Sequence, residues 1–259
     1  MKNLLTSLII LSIIFSAGNV FAKDWKKIRV GTEGAYPPFN FVTPDGKLEG
    51  FDIDIAKALV KAAGAQIELV TQDWDGLIPA LFAKKYDCII ASMSITEERK
   101  KKVAFTNKYY QTAAHFVAKK GLIKEFSKAA LKGKSIGVQR ATTHDRYIGD
   151  NYGNDVIVKR YGSHDELYLD ILSGRIDLFL ADSIMASEAF LKKPRGKDFE
   201  FVGPGLFDAR WFGVGVGIAV RKGDPELVKI LNAAIDKIRA DGTYKKIQNK
   251  YFDVDVYGE

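Results

Sequence analysis

The stretch SMSITEER, which ends at Arg99, carries groups that suit the binding of a small anion. The planar guanidinium of arginine presents a fork of N–H donors that matches the two oxygens of a carboxylate. Ser92 and Ser94 add hydroxyls close to it, and Thr142 and Thr143 supply hydroxyls and backbone amides elsewhere in the chain. A lone arginine among charges is also typical of a solvated helix face, and paired threonines are typical of a helix cap.

Other side chains extend this candidate chemistry. Asp182 can hold an ammonium group, and Glu33 can oppose a second cation. Tyr36 and Trp74 offer aromatic faces to an aliphatic or planar cationic chain. Trp74 also fits a core position and Glu33 a surface position. Taken together, the groups describe a ligand with a carboxylate and an ammonium at one end and a positive charge at the other.

The sequence offers little support for metal or catalytic chemistry. Its three histidines, His115, His144 and His164, include no pair at i,i+4 spacing. The letters GKS resemble the end of a phosphate loop, but Lys128 stands where that motif requires glycine. The segment GVGVG is typical of a closely packed strand, and no G-x-S-x-G nucleophile motif occurs. We therefore expect a binding site with no cofactor and no metal, in a protein that is not an enzyme.

An internal echo indicates which elements position these residues. WDGLIPALFAKKYDCIIASM, starting at Trp74, and HDELYLDILSGRIDLFLADS, starting at His164, match at a constant offset. In both segments apolar residues recur at helical spacing and then run continuously, which predicts a helix followed by a buried strand. The predicted strands end at Ser92 and Asp182. KIRVGTEGAY and KSIGVQRATTH form a weaker echo upstream, each a strand that leads into a polar turn.

Two copies of a strand and helix alternation predict parallel α/β sheets in two similar lobes. One helix, GFDIDIAKALVKAAG, should stop at Gly64, and the last long helix should begin with Asp224 as N-cap and Pro225 in its first turn. Ligands of such sheets bind beyond the carboxyl ends of the strands. That rule places Glu33, Ser92, residues 139–143 and Asp182 around one cleft.

The first 22 residues have the features of a secretory signal peptide. They contain one lysine, an apolar run from Leu8 to Phe15, and a small residue, Ala22, at a plausible cleavage site. A membrane anchor needs about 20 apolar residues, whereas serines interrupt this run. We expect a mature chain that begins at Lys23 and is exported in soluble form, which in a bacterium means to the periplasm.

Charge and cysteine content further limit the partners and covalent cross-links that the protein can have. The formal net charge is +7, and removal of Lys2 with the leader leaves +6. The basic residues are spread through amphipathic segments, so we expect no nucleic-acid partner. The run RKKK at residues 99–102 reads as the exposed face of a helix. Cys88 is the only cysteine, so no internal disulfide can form, and its apolar neighbours predict a buried residue.

Several segments together resemble a known family. They are VGTEGAYPPFNF, GFDIDIAKAL, WDGLIPAL, SMSITEERKK, FTNKYY, GVQRATTHDR, GRIDLFLAD and the end of the chain from DGTYKKIQNKYFD. In this order they are similar to the periplasmic solute-binding proteins of amino-acid ABC importers, and most of all to the arginine/ornithine and lysine/arginine/ornithine binders. The resemblance covers essentially the whole mature chain.

The resemblance implies a role for each candidate residue. Arg99, with Ser94 and Thr143, would bind the α-carboxylate of the ligand. Asp182, assisted by Ser92, would hold its α-ammonium. The ligand side chain would lie between two aromatic rings and end at an acidic residue. The implied ligand-binding set is Glu33, Tyr36, Trp74, Ala91, Ser92, Ser94, Arg99, Gln139, Thr142, Thr143, His144 and Asp182.

The chain departs from the family pattern at three places. Val60 and Ile67 stand where many basic-amino-acid binders have a disulfide. Glu33 stands where lysine/arginine/ornithine binders have aspartate, which lengthens the reach by one methylene and affects ligand preference. Ala91 replaces a serine that some relatives use on the ligand, which removes one possible hydrogen bond.

The resemblance implies a two-lobed α/β fold of the periplasmic binding protein type, type II-like, with two parallel or mixed sheets flanked by helices. We expect a signal peptide over residues 1–22, lobe one from residues 23–110 and 213–259, and lobe two from residues 111–212. Hinge crossings are expected near residues 111–113 and 207–212. The expected function is capture of a basic L-amino acid, arginine preferred, by a monomer that delivers it to an inner-membrane ABC permease. Open alternatives are another polar amino acid, an opine, a ligand sensor, or an enzyme like cyclohexadienyl dehydratase.

Overall fold

A computed structural model of the chain describes residues 24–258, so the signal peptide predicted for residues 1–22 lies outside the described residues. The strands of the described part are β1 Lys27–Thr32, β2 Ala35–Tyr36, β3 Asn40–Val42, β4 Leu48–Glu49, β5 Gln66–Thr71, β6 Cys88–Ile89, β7 Ala104–Tyr110, β8 Ala114–Lys119, β9 Ser135–Gln139, β10 Ile157–Tyr161, β11 Leu178–Asp182, β12 Phe199–Leu206 and β13 Val216–Val220. Its α-helices are α1 Phe51–Ala62, α2 Leu77–Phe82, α3 Glu97–Lys102, α4 Lys128–Leu131, α5 Thr143–Tyr152, α6 His164–Leu172, α7 Ser183–Ala186, α8 Ala209–Phe212, α9 Pro225–Ala240 and α10 Thr243–Tyr251.

Two five-stranded sheets of the same topology form the framework. The first has the order β5-β1-β6-β13-β7 and the second the order β10-β9-β11-β8-β12. In each sheet three strands run parallel, and one strand, β13 or β8, runs antiparallel between its two neighbours. A third, small sheet, β2-β3-β4, carries Tyr36 beside the first. The structure therefore confirms an α/β fold of two similar halves.

The sheets are mixed, whereas strand and helix alternation alone predicted parallel sheets. The chain leaves the first sheet at the end of β7 and enters the second at β8, and it returns from β12 to β13. Parallel strands bring their carboxyl ends to the cleft, so a strand that arrives from the other sheet starts at the cleft and must run away from it. The antiparallel direction of β8 and β13 follows from these two crossings.

Both segments of the internal echo contain the predicted helix and strand. The first has a 3₁₀ turn, Trp74–Gly76, then α2 and β6, and the second has α6 and β11. The second strand ends at Asp182 as predicted, but the first ends at Ile89. Ser92 lies beyond it with a φ of 54°, a left-handed backbone conformation that cannot continue a strand.

The core confirms the expectations for the apolar residues. Cys88 is fully buried as a free thiol. Val60 is buried in the main hydrophobic cluster, and Ile67 packs against the same cluster, so apolar contact holds both positions. Only the last two residues of the GVGVG segment belong to a strand, because β13 begins at Val216 and Gly213 and Gly215 before it have positive φ. The Cβ position of Gly217 lies 2.7 Å from Ile95 Cδ1, which explains a glycine at this tightly packed position.

The helix ends were predicted well, with one exception in side-chain chemistry. The helix α1 ends just before Gly64, whose φ of 71° suits glycine after a helix. The helix α9 has Asp224 at its N-cap position and Pro225 at its first residue. The Asp224 side chain, however, makes no capping hydrogen bond. It accepts instead from Arg221 Nε at 2.8 Å, because the charged guanidinium is a stronger donor than a backbone amide.

Candidate functional site

One cavity collects most of the predicted site residues at the carboxyl ends of the strands. It encloses an empty volume of about 340 Å³, and its walls come from both sheets. It is lined by Glu33, Tyr36, Trp74, Ala91, Ser92, Ser94, Arg99, Gln139, Thr142, Thr143 and His144. Asp182 lies in the adjoining cavity, which shares Tyr36, Ser92, Ser94, Thr143 and His144 with the first. The residues that the cleft rule grouped therefore lie together, with Asp182 in the adjoining cavity.

Arg99 projects from the first turn of a short helix rather than from an exposed face. Thr96 caps α3 by accepting from the Arg99 backbone N–H at 3.2 Å. The guanidinium donates to the Ser94 carbonyl oxygen at 3.1 Å and lies 5.2 Å from the centre of the Trp74 ring. Burial lowers the pKa of Arg99 to about 10, so it still carries a charge at neutral pH. Only the lysines of the RKKK run match the predicted exposed face.

Ser92 is held by a buried aspartate that the sequence reading did not single out. Its hydroxyl donates to Asp52 Oδ2 at 2.9 Å. Asn40 Nδ2 donates to the same oxygen at 2.8 Å, and the Tyr109 hydroxyl donates to Oδ1 at 2.7 Å. Burial raises the pKa of Asp52, and these three donors oppose that rise. Asp52, in the first turn of α1, therefore fixes the Ser92 hydroxyl from behind.

The amino end of α5 faces the same cavity. Thr142 is the N-cap: its hydroxyl accepts from the Asp145 backbone N–H at 3.1 Å and donates to the Gln139 carbonyl at 2.7 Å. The capping alternative is thus correct for Thr142, while Thr143 is the first helical residue and is buried. Unpaired N–H groups at a helix start favour an anion. Burial and the nearby Arg99 lower the pKa of His144 to about 3, so that residue is neutral at pH 7.

Asp182 combines a structural and a chemical position. Its Oδ1 caps α7 by accepting from the backbone N–H groups of Ile184 at 2.9 Å and Met185 at 3.0 Å, and Thr112 donates to Oδ2. A carboxylate has about four acceptor positions, so one remains for a ligand. Burial raises the pKa of Asp182 to about 6, so a cation beside it would favour its ionised form.

Glu33 lies at the other end of the cavity. Burial raises its pKa to about 7, Gln139 opposes that rise, and the charges of Asp73 and Asp75 add to it. The Gln139 amide nitrogen donates to Glu33 Oε1 at 2.6 Å and to the Gly162 carbonyl at 3.0 Å. A buried carboxylate in an acidic neighbourhood favours a cation beside it.

Tyr36 and Trp74, the two aromatic residues predicted to lie on either side of the ligand side chain, both contact residues of the second half of the molecule. Tyr36 is buried, and its ring meets His164 edge-on with 5.2 Å between ring centres. The Trp74 indole N–H donates to the Ala141 carbonyl at 3.2 Å. Ala141 and Ser92 are two of the three non-glycine residues with positive φ within residues 24–258. Strained backbone of this kind clusters at functional sites.

The structure adds contacts that the motifs did not reveal, although residues 139–143 were predicted at the cleft and residues 111–113 at a hinge crossing. Asp52, Thr112 and Ala141 each bond to a predicted site residue. For Asp52 a signal existed, because it precedes Ile55, Ala56 and Leu59 at the 3, 4 and 7 residue spacings of the apolar helix face. The partnerships of Thr112 and Ala141 depend on contacts between segments far apart in the chain.

Across residues 24–258, no group of three or more histidine, cysteine, aspartate or glutamate side chains is arranged to hold a metal ion. None of the helices in that part of the chain has the length and apolar character needed to cross a membrane.

The fold has two similar halves, each built on a sheet flanked by helices, and a polar, charged cavity lies between them. This arrangement defines a two-lobed ligand-binding protein. The chain belongs to the bacterial extracellular solute-binding proteins, family 3, whose family model matches residues 28–254. The resemblance inferred from the sequence motifs is therefore confirmed.

Several similar proteins are named for the amino acid that they bind. The chain is 54% identical to the L-arginine-binding protein of Pseudomonas aeruginosa, over 92% of each chain. It is 44% identical to the histidine-binding periplasmic protein of Salmonella typhimurium over the full length of both. Among solved structures, a Salmonella typhimurium periplasmic binding protein with high arginine specificity matches with a TM-score of 0.81 and 35% identity. That match covers 88% of this chain and 99% of the other.

Proposed function

We propose that this protein binds a basic L-amino acid, with arginine preferred, in the cavity between its two sheets. The observation that carries the proposal is the charge pattern of the cavity and its neighbour. Among the described residues that line them, Arg99 is the cation and Glu33 and Asp182 are the acids. Arginine has the complementary set, one carboxylate and two cationic groups. The names of the similar arginine-binding proteins support this assignment.

The α-carboxylate of the ligand would bind at Arg99, the Ser94 hydroxyl and the start of α5 at Thr143. All three features favour an anion. The α-ammonium would bind at Asp182, near Ser92. This arrangement places opposite charges of the ligand against the buried charges of Arg99 and Asp182, where Coulomb attraction is stronger than in bulk solvent.

The ligand side chain would extend between Tyr36 and Trp74 toward Glu33. A guanidinium stacks on aromatic faces and presents a planar fork to a carboxylate, whereas an ammonium is a compact and strongly hydrated charge. The preference for arginine over lysine or ornithine follows from this difference. Gln139 and His144 complete the wall of the cavity, and Ala91 leaves space where a serine would offer a hydroxyl.

We infer two lobes that close around the ligand. Lobe one would comprise residues 23–110 and 213–259, and lobe two residues 111–212. The hinge would be the crossings at residues 111–113 and 207–212, which lie between β7 and β8 and between β12 and β13. Hinge closure of periplasmic binding proteins is a general precedent. Bonds that cross the cleft, such as Trp74 to Ala141 and Gln139 to Glu33, support a closed arrangement in this structure.

The cellular role follows from the family. We infer that residues 1–22 direct export, that the mature chain acts as a periplasmic monomer, and that it delivers its ligand to an inner-membrane ABC permease. A binding role, rather than catalysis, is supported by the names of the similar proteins. Incubation with prephenate or arogenate should yield no product, and formation of product would overturn this part of the proposal.

The decisive experiment is a thermal-shift screen of the mature chain against all amino acids, followed by calorimetry. A ligand that binds only the native state raises its apparent stability in proportion to the logarithm of concentration over Kd. Arginine should give the largest shift, with ornithine, lysine and histidine behind it. Equal or larger shifts with glutamine or citrulline would overturn the basic-ligand proposal.

A further inference from the structure

The amide of Gln139 makes contacts that fix its orientation. It lies at the end of β9 and is 2% exposed. Its nitrogen donates to Glu33 Oε1 at 2.6 Å and to the Gly162 carbonyl oxygen at 3.0 Å. A carbonyl has no proton, and Glu33 is ionised beside the cationic ligand proposed above, so both partners are then acceptors only. A flipped amide would set its oxygen against two other oxygens, so the nitrogen must face them.

This orientation decides what Gln139 can offer a ligand. An amide nitrogen has two hydrogens, and Glu33 and Gly162 use both. The group left for a ligand in the cavity that Gln139 lines is its carbonyl oxygen, which is an acceptor. Glu33 keeps its second carboxylate oxygen, Oε2, also an acceptor. The distal end of the cavity thus offers two acceptors from two side chains and no donor from either.

We propose that Gln139 is a specificity-determining residue, which acts with Glu33 as an acceptor pair that selects ligand side chains ending in donors only. This inference rests on the proposed binding of a basic amino acid. A guanidinium carries five N–H donors and no acceptor, so it can satisfy both oxygens. The ureido group of citrulline has the same length but ends partly in a carbonyl oxygen. That oxygen would face Gln139 or the ionised Glu33 without a donor, and an unpaired buried polar group is costly. Glu33 could donate to it only after taking up a proton.

The pair also joins the two halves of the protein. Glu33 follows β1 of the first sheet, and Gln139 ends β9 of the second. The hydrogen bond between them can form only when the two halves approach each other across the cleft. Closure therefore assembles the acceptor pair. Selection at the distal end is therefore coupled to the closed state, and a ligand that leaves the pair unsatisfied should close the cleft less well.

The test compares arginine with citrulline on the mature chain by calorimetry. The wild type should bind arginine more tightly than citrulline. In Gln139→Met, which has similar length and no amide, the ratio of the two affinities should fall by about tenfold to a hundredfold, the range for lost hydrogen bonds to a charged group. Gln139→Asn keeps the amide but is one methylene short of Glu33, and it should lower the ratio as well. Gln66→Met, at an exposed strand end, is the matched control and should leave the ratio unchanged.

The outcomes separate the two proposals. If wild type prefers arginine but both Gln139 variants fold and keep the same ratio, the acceptor pair does not determine specificity and this inference fails alone. If wild type binds citrulline as tightly as arginine, the proposed function itself fails. Should Gln139→Met lose its cooperative thermal transition, Gln139→Asn gives the answer, because it keeps a polar amide at the same position.

Discussion

The indole nitrogen of Trp74 donates a hydrogen bond of 3.2 Å to the carbonyl oxygen of Ala141, across the cleft between the two sheets. Two ion pairs make the same crossing nearby. Arg140 Nε lies 2.6 Å from Asp75 Oδ2, and Arg146 pairs with Glu98. Trp74 thus contacts the second half of the molecule with its polar edge while it lines the cavity. A change in the contacts across the cleft should therefore also change the proposed binding of a ligand.

Loss of a rim ion pair should weaken ligand binding slightly by favouring the open state. Arg140 and Asp75 are about half exposed, and exposed pairs contribute about 0.2–1 kcal/mol. Arg140→Ala should therefore weaken arginine binding by up to about fivefold in low salt, with less effect at 1 M salt because of screening. The double exchange of Asp75→Arg with Arg140→Asp should restore affinity. Arg175→Ala removes the pair with Asp170 within the second half, and calorimetry should show no change.

Arg99→Lys should weaken binding of every amino-acid ligand. A lysine presents a point charge and cannot reproduce the two parallel donors of a guanidinium. We expect a loss of about 2–5 kcal/mol, as for truncation of one partner of a buried charged pair. Lys101→Ala, on the exposed part of the same helix, is the control. An unchanged dissociation constant in Arg99→Lys, measured by calorimetry, would contradict the placement of the ligand carboxylate at Arg99.

The preference for arginine over citrulline should rise with pH. Burial raises the pKa of Glu33 from 4.5 to about 7. A neutral ligand leaves that pKa high, so its binding releases no proton from Glu33. The charge of arginine lowers the pKa of Glu33 in the complex, so arginine binding releases a proton and strengthens as pH rises toward 7. Because the α-ammonium and α-carboxylate are common to both ligands, titration of Asp182 cancels in the ratio.

The expected slope is at most tenfold in the affinity ratio for each pH unit. It should be measured by calorimetry between pH 5 and 8. Glu33→Gln cannot titrate, so its ratio should be lower and independent of pH. A wild-type ratio that stays flat through this range would show that Glu33 does not face the distal group of the ligand.

Asp52→Asn should destabilise the fold and weaken ligand binding together. Asp52 accepts hydrogen bonds from Asn40, Ser92 and Tyr109 in a fully buried position. An asparagine turns one acceptor into a donor that faces those donors, and each buried group left unsatisfied costs about 1–3 kcal/mol. Urea unfolding should report the loss, with Asp236→Asn on the exposed face of α9 as control. Equal stability of the two variants would contradict the role of Asp52.

The sequence alone determined much of the architecture. Apolar periodicity is a local property, since each helix or strand buries one face regardless of what lies beyond it. It therefore predicted the helix and strand pairs around Trp74 and His164, and the rule for strand ends placed Glu33 and Asp182 at one cleft. The side-chain chemistry of the motif around Arg99 predicted a site for a carboxylate. The same motif contributed to the family resemblance, which the family model confirms.

The tertiary structure decided which side chains meet. Gln139 and Glu33 are 106 residues apart, yet a single hydrogen bond fixes the amide orientation and with it the acceptors at the distal end. Asp52 reaches Ser92 from a helix that looked merely amphipathic. The antiparallel course of β8 and β13 follows from the chain crossing between sheets. Such partnerships depend on the approach of distant segments, and no local pattern encodes them because each side chain offers the same donors and acceptors to any neighbour.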